Sequence, residues 1–176
     1  MKALLCTRYG GPDDLTLEDL PDPAPSPGEA VVRVAAAALN FFDTLIIAGK
    51  YQYKPAFPFS PAAEFAGTVE SLGPGVTGLK AGDRVMGYTR NGAARQKLAF
   101  PAEQLTLVPS GLDFDHAAGL SVTYGTSYYA LKDRAQLKPG ETLVVLGASG
   151  GVGIAAVELG KPVSYTHLTL PTIYSV

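Results

Sequence analysis

A turn of small residues is the part of this chain whose chemistry is easiest to infer. It follows the apolar run 143–146, which predicts a buried parallel strand, and it leads into Ile154–Leu159, which predicts a helix. Strand, glycine-rich turn and helix form the first unit of a dinucleotide-binding fold. Small residues let the backbone approach a pyrophosphate, and the helix N-terminus offers unpaired N–H groups to that anion. The residues predicted to hold the nucleotide are Ala148, Ser149, Gly150, Gly151, Val152 and Gly153.

This turn departs from the G-x-G-x-x-G pattern at one place. Ala148 occupies the first glycine position, while Gly150 and Gly153 fill the other two. The alternative interpretation is a tight strand–helix turn that binds nothing. An acid that would bind the ribose is expected about 20 residues further on, near Ile173, but no Asp or Glu follows Lys161.

The C-terminal segment, residues 162–176, does not fit the preceding pattern. Pro162 is expected to end the helix, and we expect no second strand of a parallel sheet to follow. The segment resembles the translated read-through of a transposase sequencing adapter, so we expect it to be a non-native tail. The alternative is a natural short terminus with one edge strand between Tyr165 and Leu170.

Composition excludes several functional classes. Hydrophobic residues make up 47% of the chain, which is enough for a core and too much for a disordered chain. The net charge of −2 and the absence of a basic run predict no nucleic-acid partner and no membrane association. Arg8 interrupts the first apolar run too early for a signal peptide. The single cysteine, Cys6, is expected to be buried and apolar, and we expect a cytoplasmic enzyme.

The pattern changes once along the chain. Up to about residue 110, short apolar runs alternate with Gly- and Pro-rich turns, which predicts an all-β barrel or sandwich. The predicted strands are Ala3–Thr7, Thr16–Asp19, Glu29–Ala38, Ala63–Leu72, Arg84–Tyr88 and Ala94–Pro101. From Asp113, which can cap a helix, the spacing predicts a helix over Phe114–Leu131. The fold class is therefore mixed α+β.

Several separated motifs give a family resemblance. They are the Met1-Lys2-Ala3 start, Pro27–Val34, Leu39–Asp43, Gly49–Tyr51, Pro61–Val69, Lys80–Val85 and Ala148–Gly153. In this order and spacing the chain resembles the zinc-independent quinone oxidoreductase branch of the medium-chain dehydrogenase/reductase superfamily. The resemblance implies a GroES-like β-barrel catalytic domain over residues 1–115. It also implies the start of a Rossmann domain over residues 116–161, truncated there, with the active site in the cleft between the two.

Zinc is not expected in this chain. Zinc-dependent members of the superfamily carry Cys at the place of Asn40 and Gly-His-Glu at the place of residues 62–64. Asp43 and Glu64 remain as oxygen ligands, but a catalytic zinc site needs about three ligands that include nitrogen or sulfur. Without a Lewis acid, alcohol oxidation loses its means of stabilising an alkoxide. Hydride donation to an activated acceptor, a quinone or an α,β-unsaturated carbonyl, remains possible.

The resemblance also implies roles for single residues. It puts Asn40 beside the nicotinamide, where its amide could donate to a substrate oxygen; the alternative is a loop or cap residue. It makes Asp43 and Tyr51 candidate catalytic residues. The alternative for Asp43 is that, with Asn40, it fixes a loop or caps a short helix, and the alternative for Tyr51 is packing. It brings Thr123 against the nicotinamide, where a buried threonine bonded to its own helix is the alternative. Glu64 is expected to be a buried, hydrogen-bonded acid.

The expected function is NADPH-dependent reduction of quinones or enones by a protein of which this chain is a truncated copy. NADPH is implied by the resemblance alone. A 2-enoyl thioester reductase and a non-catalytic GroES-like binding module are the alternatives. We expect a homodimer of the parent protein but not of this chain. Because one strand cannot form a sheet, we expect this chain itself to bind NADPH poorly and to be inactive.

Overall fold

The computed structural model describes residues 1–162 and, for the backbone, residues 165 and 166. The chain divides into two compact units, of which the first is Met1–Gly119 and the second begins at Leu120. The division into a catalytic domain, residues 1–115, and a nucleotide-binding domain, residues 116–161, stays a prediction. The predicted non-native tail lies outside the described residues, apart from Pro162 and the backbone of residues 165 and 166.

An antiparallel sheet of five strands dominates the first unit. Its strands are Glu29–Ala38 (β3), Glu64–Leu72 (β4), Arg84–Tyr88 (β5), Lys97–Pro101 (β6) and Thr106–Leu107 (β7). Across the sheet they lie in the order β6-β3-β4-β5-β7. The first two strands of the chain, Lys2–Leu5 (β1) and Thr16–Asp19 (β2), pair with each other. Short 3₁₀ turns occur at Pro12–Asp14 and Ala102–Gln104.

The main core lies on one face of this sheet. Val32 of β3, Phe65 and Val69 of β4, and Val85 of β5 are buried together with Phe100 of β6. The rings of Phe65 and Phe100 meet edge to face, with centroids 5.3 Å apart. Burial of each large side chain contributes about 1.5–3 kcal/mol relative to exposure, so these five positions hold β6, β3, β4 and β5 together.

The sequence placed one strand too early. The predicted strand Ala94–Pro101 begins only at Lys97. The residues before it bond to β1, because the Leu4 N–H donates to the Ala94 carbonyl at 2.9 Å and the Gln96 N–H donates to the Lys2 carbonyl at 2.9 Å. The Gln96 carbonyl also accepts the Val34 N–H of β3 at 2.9 Å, so this segment connects β1 to the sheet.

A short helix, α1 (Phe41–Ile47), follows β3 directly. Its residues Ile46 and Ile47 pack with Phe59 and Cys6 in a second cluster of buried side chains. Cys6 is 1% exposed, as expected, and burial raises the pKa of its thiol. The thiol donates to the Arg8 carbonyl at 3.1 Å. These contacts fix α1 against the N-terminal segment.

The predicted helix Phe114–Leu131 is interrupted. Helix α2 (Phe114–Ala118) ends at Gly119, α3 (Leu120–Tyr128) follows, and Tyr129–Arg134 forms a π-helix. Glycine is among the weakest helix formers, which favours the break. Asp113 caps α2 as expected, because its carboxylate accepts the His116 N–H at 2.8 Å. Ala117 and Ala118 pack beneath the sheet of the first unit with Ala66 and Val108.

The second unit contains α3 and α4 (Gly151–Gly160), which pack together. The buried Ser127 hydroxyl donates to the Val152 carbonyl at 2.7 Å. The strand before the turn, β8, covers only Thr142–Leu143 instead of the predicted residues 143–146. Val144 and Leu146 are 57% and 77% exposed, so the prediction of a fully buried strand is wrong.

A second strand does occur. β9 (Tyr165–Thr166) pairs in parallel with β8, with Thr142 opposite Tyr165 and Leu143 opposite Thr166. The expectation of no further strand is therefore wrong for these two residues. Unpaired N–H and C=O groups along a strand edge favour such pairing. Among the described residues, no helix is both long and apolar enough to span a bilayer.

Candidate active site

Asn40 and Asp43 lie at the start of α1 and are bonded to each other. The Asn40 backbone N–H donates to Asp43 Oδ2 at 2.8 Å, and the Asp43 N–H donates to the Asn40 carbonyl at 3.0 Å. Asn40 is the N-cap residue, with extended backbone angles of −118° and 160°. An acidic side chain three residues after the N-cap returns a hydrogen bond that ties the first turn. The spacing of these two residues thus fixes where the helix begins.

The Asp43 carboxylate is buried, with 4% of the residue exposed. Burial raises its pKa, and the N–H groups of Asn40 and Ala62, which it accepts, oppose that rise. The carboxylate therefore links the start of α1 to the segment before β4. Because both donors are backbone groups, Asp43 fixes the positions of the two segments that contain Asn40 and Ala62.

The Asn40 side chain points to β4. Its Nδ2 donates to Glu64 Oε1 at 2.9 Å, and Glu64 is only 1% exposed. The expectation that Glu64 is a buried, hydrogen-bonded acid is confirmed. A carboxylate accepts but does not donate, so the contact orients the amide with Nδ2 toward Glu64. The second amide N–H remains to serve a bound molecule.

Ala62 has an unusual backbone conformation. Its φ is +66°, in the left-handed region, although it carries a side chain and is fully buried. Its carbonyl accepts the Ala93 N–H at 3.0 Å, and its N–H is bound by Asp43. Hydrogen bonds on both sides thus hold a conformation that costs an alanine about 1–2 kcal/mol.

Tyr51 lines a pocket of about 340 Å³ in the first unit. Its ring stacks on Phe42 of α1, with centroids 5.8 Å apart. Ile46, Tyr53, Tyr88 and Arg90 also line this pocket. Phe42 comes two residues after Asn40, so the pocket and the Asn40 amide are built on the same helix.

The glycine turn lies in the second unit. Gly147 has φ +72°, and Gly150 is the N-cap of α4. A Cβ added at Gly153 would lie 2.3 Å from the Gly147 carbonyl oxygen, so no side chain fits there. Thr123 lies against the same turn, because a Cβ on Gly151 would approach its Cγ2 to 3.0 Å.

The structure thus brings the predicted site residues together in two groups. Asn40 and Asp43 lie together in the first unit, Tyr51 lies in a pocket of that unit that α1 also lines, and Thr123 lies beside residues 148–153 in the second. Sequence reasoning missed Phe42, Tyr53 and Arg90. Phe42 is four residues before Ile46, a spacing that places both on one helix face and could have indicated it. Arg90 carries no such signal, since it is a lone cation in a turn.

Comparison with known proteins decides the family. The alcohol dehydrogenase GroES-like domain matches residues 26–110. The human synaptic vesicle membrane protein VAT-1 homolog is 41% identical over 165 residues, which cover 93% of this chain and 42% of that protein. Quinone oxidoreductase of Rattus norvegicus is 37% identical over 163 residues, covering 92% and 50% respectively.

Solved structures agree. The Escherichia coli quinone oxidoreductase complexed with NADPH superposes with a TM-score of 0.90 at 30% identity, over 98% of this chain and 53% of that one. The Thermus thermophilus quinone oxidoreductase, also solved in complex with NADPH, has a TM-score of 0.84 at 36% identity, over 97% and 53%. This chain belongs to the quinone oxidoreductase branch of the medium-chain dehydrogenase/reductase superfamily. The resemblance and the mixed α+β fold with a GroES-like domain are thereby confirmed.

The chain spans about half the length of the quinone oxidoreductases it matches. At the places where zinc-dependent members of the superfamily carry Cys and His, it has Asn40 and Ala63. Within the described residues, no three His, Cys, Asp or Glu side chains gather as metal ligands. The absence of zinc in this member of the branch stays a prediction.

The glycine turn fits the diphosphate of a nicotinamide dinucleotide. Ser149, Gly150 and Gly151 are exposed, so an anion can reach the backbone there. The first N–H groups of a helix have no acceptor within it, and α4 is ten residues long. The close contact at Gly153 keeps the start of α4 against Gly147 and Ala148. These donors are backbone groups, so they suit a phosphate without any basic side chain.

Proposed function

We propose that the protein is an NADPH-dependent oxidoreductase that reduces quinones or α,β-unsaturated carbonyls without zinc. The observation that carries this proposal is the turn at 147–153. The close contact at Gly153 leaves room for backbone only, and the first N–H groups of α4 are left to bind an anion. Two relatives of the same branch were solved with NADPH, which supports this cofactor. When bound, NADPH supplies the hydride. The activity of the whole protein, its dimer and its cytoplasmic location belong to this proposal.

Asn40 is the residue we expect to act on the substrate. Glu64 holds its Nδ2, so the amide has one orientation before anything binds. Its second amide N–H can donate to a substrate oxygen on which charge develops during hydride transfer, and a fixed donor of this kind stabilises such charge. Asp43 positions Asn40 through the backbone. Tyr51 packs against the substrate ring, and Thr123 contacts the cofactor from α3.

The experiment uses the protein extended to the full length of its relatives. We expect NADPH oxidation with 1,4-benzoquinone or cyclohexenone, and we expect the rate to survive treatment with EDTA. Replacing Asn40 by alanine (N40A) should lower kcat/KM by about 100-fold. The control T44A changes an exposed residue of the same helix and should keep the rate.

No oxidation with either acceptor would contradict the proposal and favour a binding module. Turnover only with a 2-enoyl thioester would contradict the substrate assignment. Loss of activity with EDTA that zinc restores would contradict the metal-free chemistry.

A further inference from the structure

The pocket next to α1 contains a cation that the proposed reaction does not use. One wall comes from α1 and the segment after it, with Phe42, Ile46 and Tyr51. The other comes from the end of β5 and its turn, with Tyr88 and Arg90. A volume of about 340 Å³ lies in the range of about 300–1,000 Å³ that is usual for small-molecule sites.

Arg90 is held in place without being neutralised. Its guanidinium carbon lies 5.7 Å from the centre of the Tyr53 ring. The Tyr53 hydroxyl donates to Asn91 Oδ1 at 3.0 Å, and the Thr89 hydroxyl donates to the Asn91 carbonyl at 3.0 Å. The turn that carries Arg90 is therefore fixed to the Tyr53 ring that the guanidinium contacts. Because this contact already restricts the guanidinium, less entropy is lost when it binds a ligand.

Two other arginines of the first unit have acidic partners. Arg8 pairs with Asp14 at 2.7 Å and Arg33 pairs with Glu70 at 3.3 Å. The ion pairs of the described residues do not include Arg90. No carboxylate of the described part of the chain lines the pocket either. An exposed guanidinium next to aromatic walls thus faces the pocket with its charge available to a ligand.

We propose that this pocket selects planar aromatic ligands that carry an acidic substituent, a carboxylate or a sulfonate, and that Arg90 is the residue that determines this specificity. The rings of Phe42, Tyr51 and Tyr88 offer faces and edges to a flat ligand. The guanidinium offers a planar fork of donors that matches two oxygens of an oxyanion. This inference rests on the proposed function, since the ligand would be an acidic quinone, and it narrows the substrate class.

The observations favour an aromatic acid over two related ligands. A neutral quinone would leave the Arg90 charge without a partner. A small inorganic anion would leave the aromatic walls uncovered. A ligand that joins a ring to an oxyanion covers the aromatic walls and pairs with Arg90 in a single molecule.

Binding to this chain tests the inference directly, because every residue of the pocket lies in the first unit. The probes are naphthalene-2-sulfonate and its neutral isostere naphthalene-2-sulfonamide, titrated by calorimetry, with inorganic phosphate as a third arm. We expect the sulfonate to bind about tenfold more tightly than the sulfonamide, a difference of about 1.4 kcal/mol. Phosphate alone should not compete.

Two matched variants assign the effect to Arg90. R90Q should remove the preference for the sulfonate while leaving sulfonamide binding unchanged, and R90K should keep part of the preference. K54Q removes one positive charge from the neighbouring loop, at an exposed residue outside the pocket lining. It should keep the whole preference.

Equal affinity for both probes, an equal loss in K54Q and R90Q, or competition by phosphate would each overturn the inference. So would a failure of both probes to bind. These outcomes differ from a failure of the proposed function, which shows as absent NADPH oxidation in the extended protein even where the sulfonate binds this chain.

Discussion

At the scale of single residues, Asp43 carries a carboxylate inside the protein. Burial raises its pKa above the usual value, so the folded protein binds a proton there more tightly than the unfolded chain does. The stability this group contributes is therefore fully present at low pH and is lost as the pH rises through the raised pKa. The hydrogen bonds that the carboxylate accepts from two backbone N–H groups lower its pKa, so they reduce this loss of stability without removing it.

A substitution measures this directly. D43N cannot ionise, so the free energy of unfolding of D43N relative to the native sequence should rise as the pH goes from about 3 to about 7. Urea unfolding across this range gives the slope. D14N is the control of opposite sign, because the hydrogen bond from Arg8 lowers the pKa of the native Asp14. Relative to the native sequence, D14N should lose stability as the pH rises. A flat or falling difference for D43N would contradict the burial argument.

The scale of elements begins with the segment that enters β4. The φ of Ala62 is +66° there. Two hydrogen bonds hold this conformation: the Ala62 N–H donates to the Asp43 carboxylate, and the Ala62 carbonyl accepts the Ala93 N–H. Glycine adopts this conformation without the contact between Cβ and carbonyl that penalises alanine.

We therefore expect A62G to stabilise the protein by about 1 kcal/mol, measured as the free energy of unfolding in urea. The neighbouring A63G is the control, because residue 63 is outside the left-handed region and fully buried. A63G should lower stability. If A62G also lowered the free energy of unfolding, the contacts of the Ala62 methyl group would outweigh the backbone strain at this position.

The glycine turn gives a second prediction at this scale. G153A places a Cβ 2.3 Å from the Gly147 carbonyl oxygen, and the nearest atoms are backbone that cannot move aside cheaply. We expect a loss of about 1–3 kcal/mol and faster amide exchange in α4. G150A is the matched control, since its nearest neighbour would lie at 3.6 Å and its φ is −82°. Equal behaviour of the two variants would show that α4 does not pack against the turn.

Elements were easier to predict than the contacts between them. β2, β3 and β5 have the predicted bounds because turn residues interrupt each apolar run. A short helix capped by Asn40 and Asp43 was one alternative to a functional role for these residues, and the structure contains that helix. The bond from Asn40 to Glu64 could not be predicted, because it depends on the register that places Ala38 opposite Glu64. The prediction for 143–146 was wrong because an apolar run does not show how many partner strands cover it.

At the scale of the whole molecule, the two units differ in how well they bury their apolar side chains. Val32, Phe65 and Val85 of the first unit are fully buried. In the second, Val152 and Ile154 of α4 are 45% and 46% exposed, and Leu146 is 77% exposed. Since local stability follows buried apolar contact, the second unit should open more often.

Hydrogen exchange followed by mass spectrometry checks this. We expect amides of β3 and β4 to exchange roughly 100-fold more slowly than amides of α4, because only the former lie in a covered core. Peptides from β1 and β2, whose hairpin has a fully exposed second strand, serve as a reference for exchange within the first unit. Simultaneous exchange of α4 with β3 and β4 would show that the chain unfolds as a single cooperative body.

The position of Cys6 has a practical consequence for labelling this protein. Only the thiolate of a cysteine reacts with alkylating reagents, and this one is both covered and shifted away from ionisation. A second cysteine engineered at an exposed site would therefore be modified first by a maleimide dye. Because the native thiol supplies its own protection, site-specific attachment of a fluorophore needs no prior removal of a background cysteine.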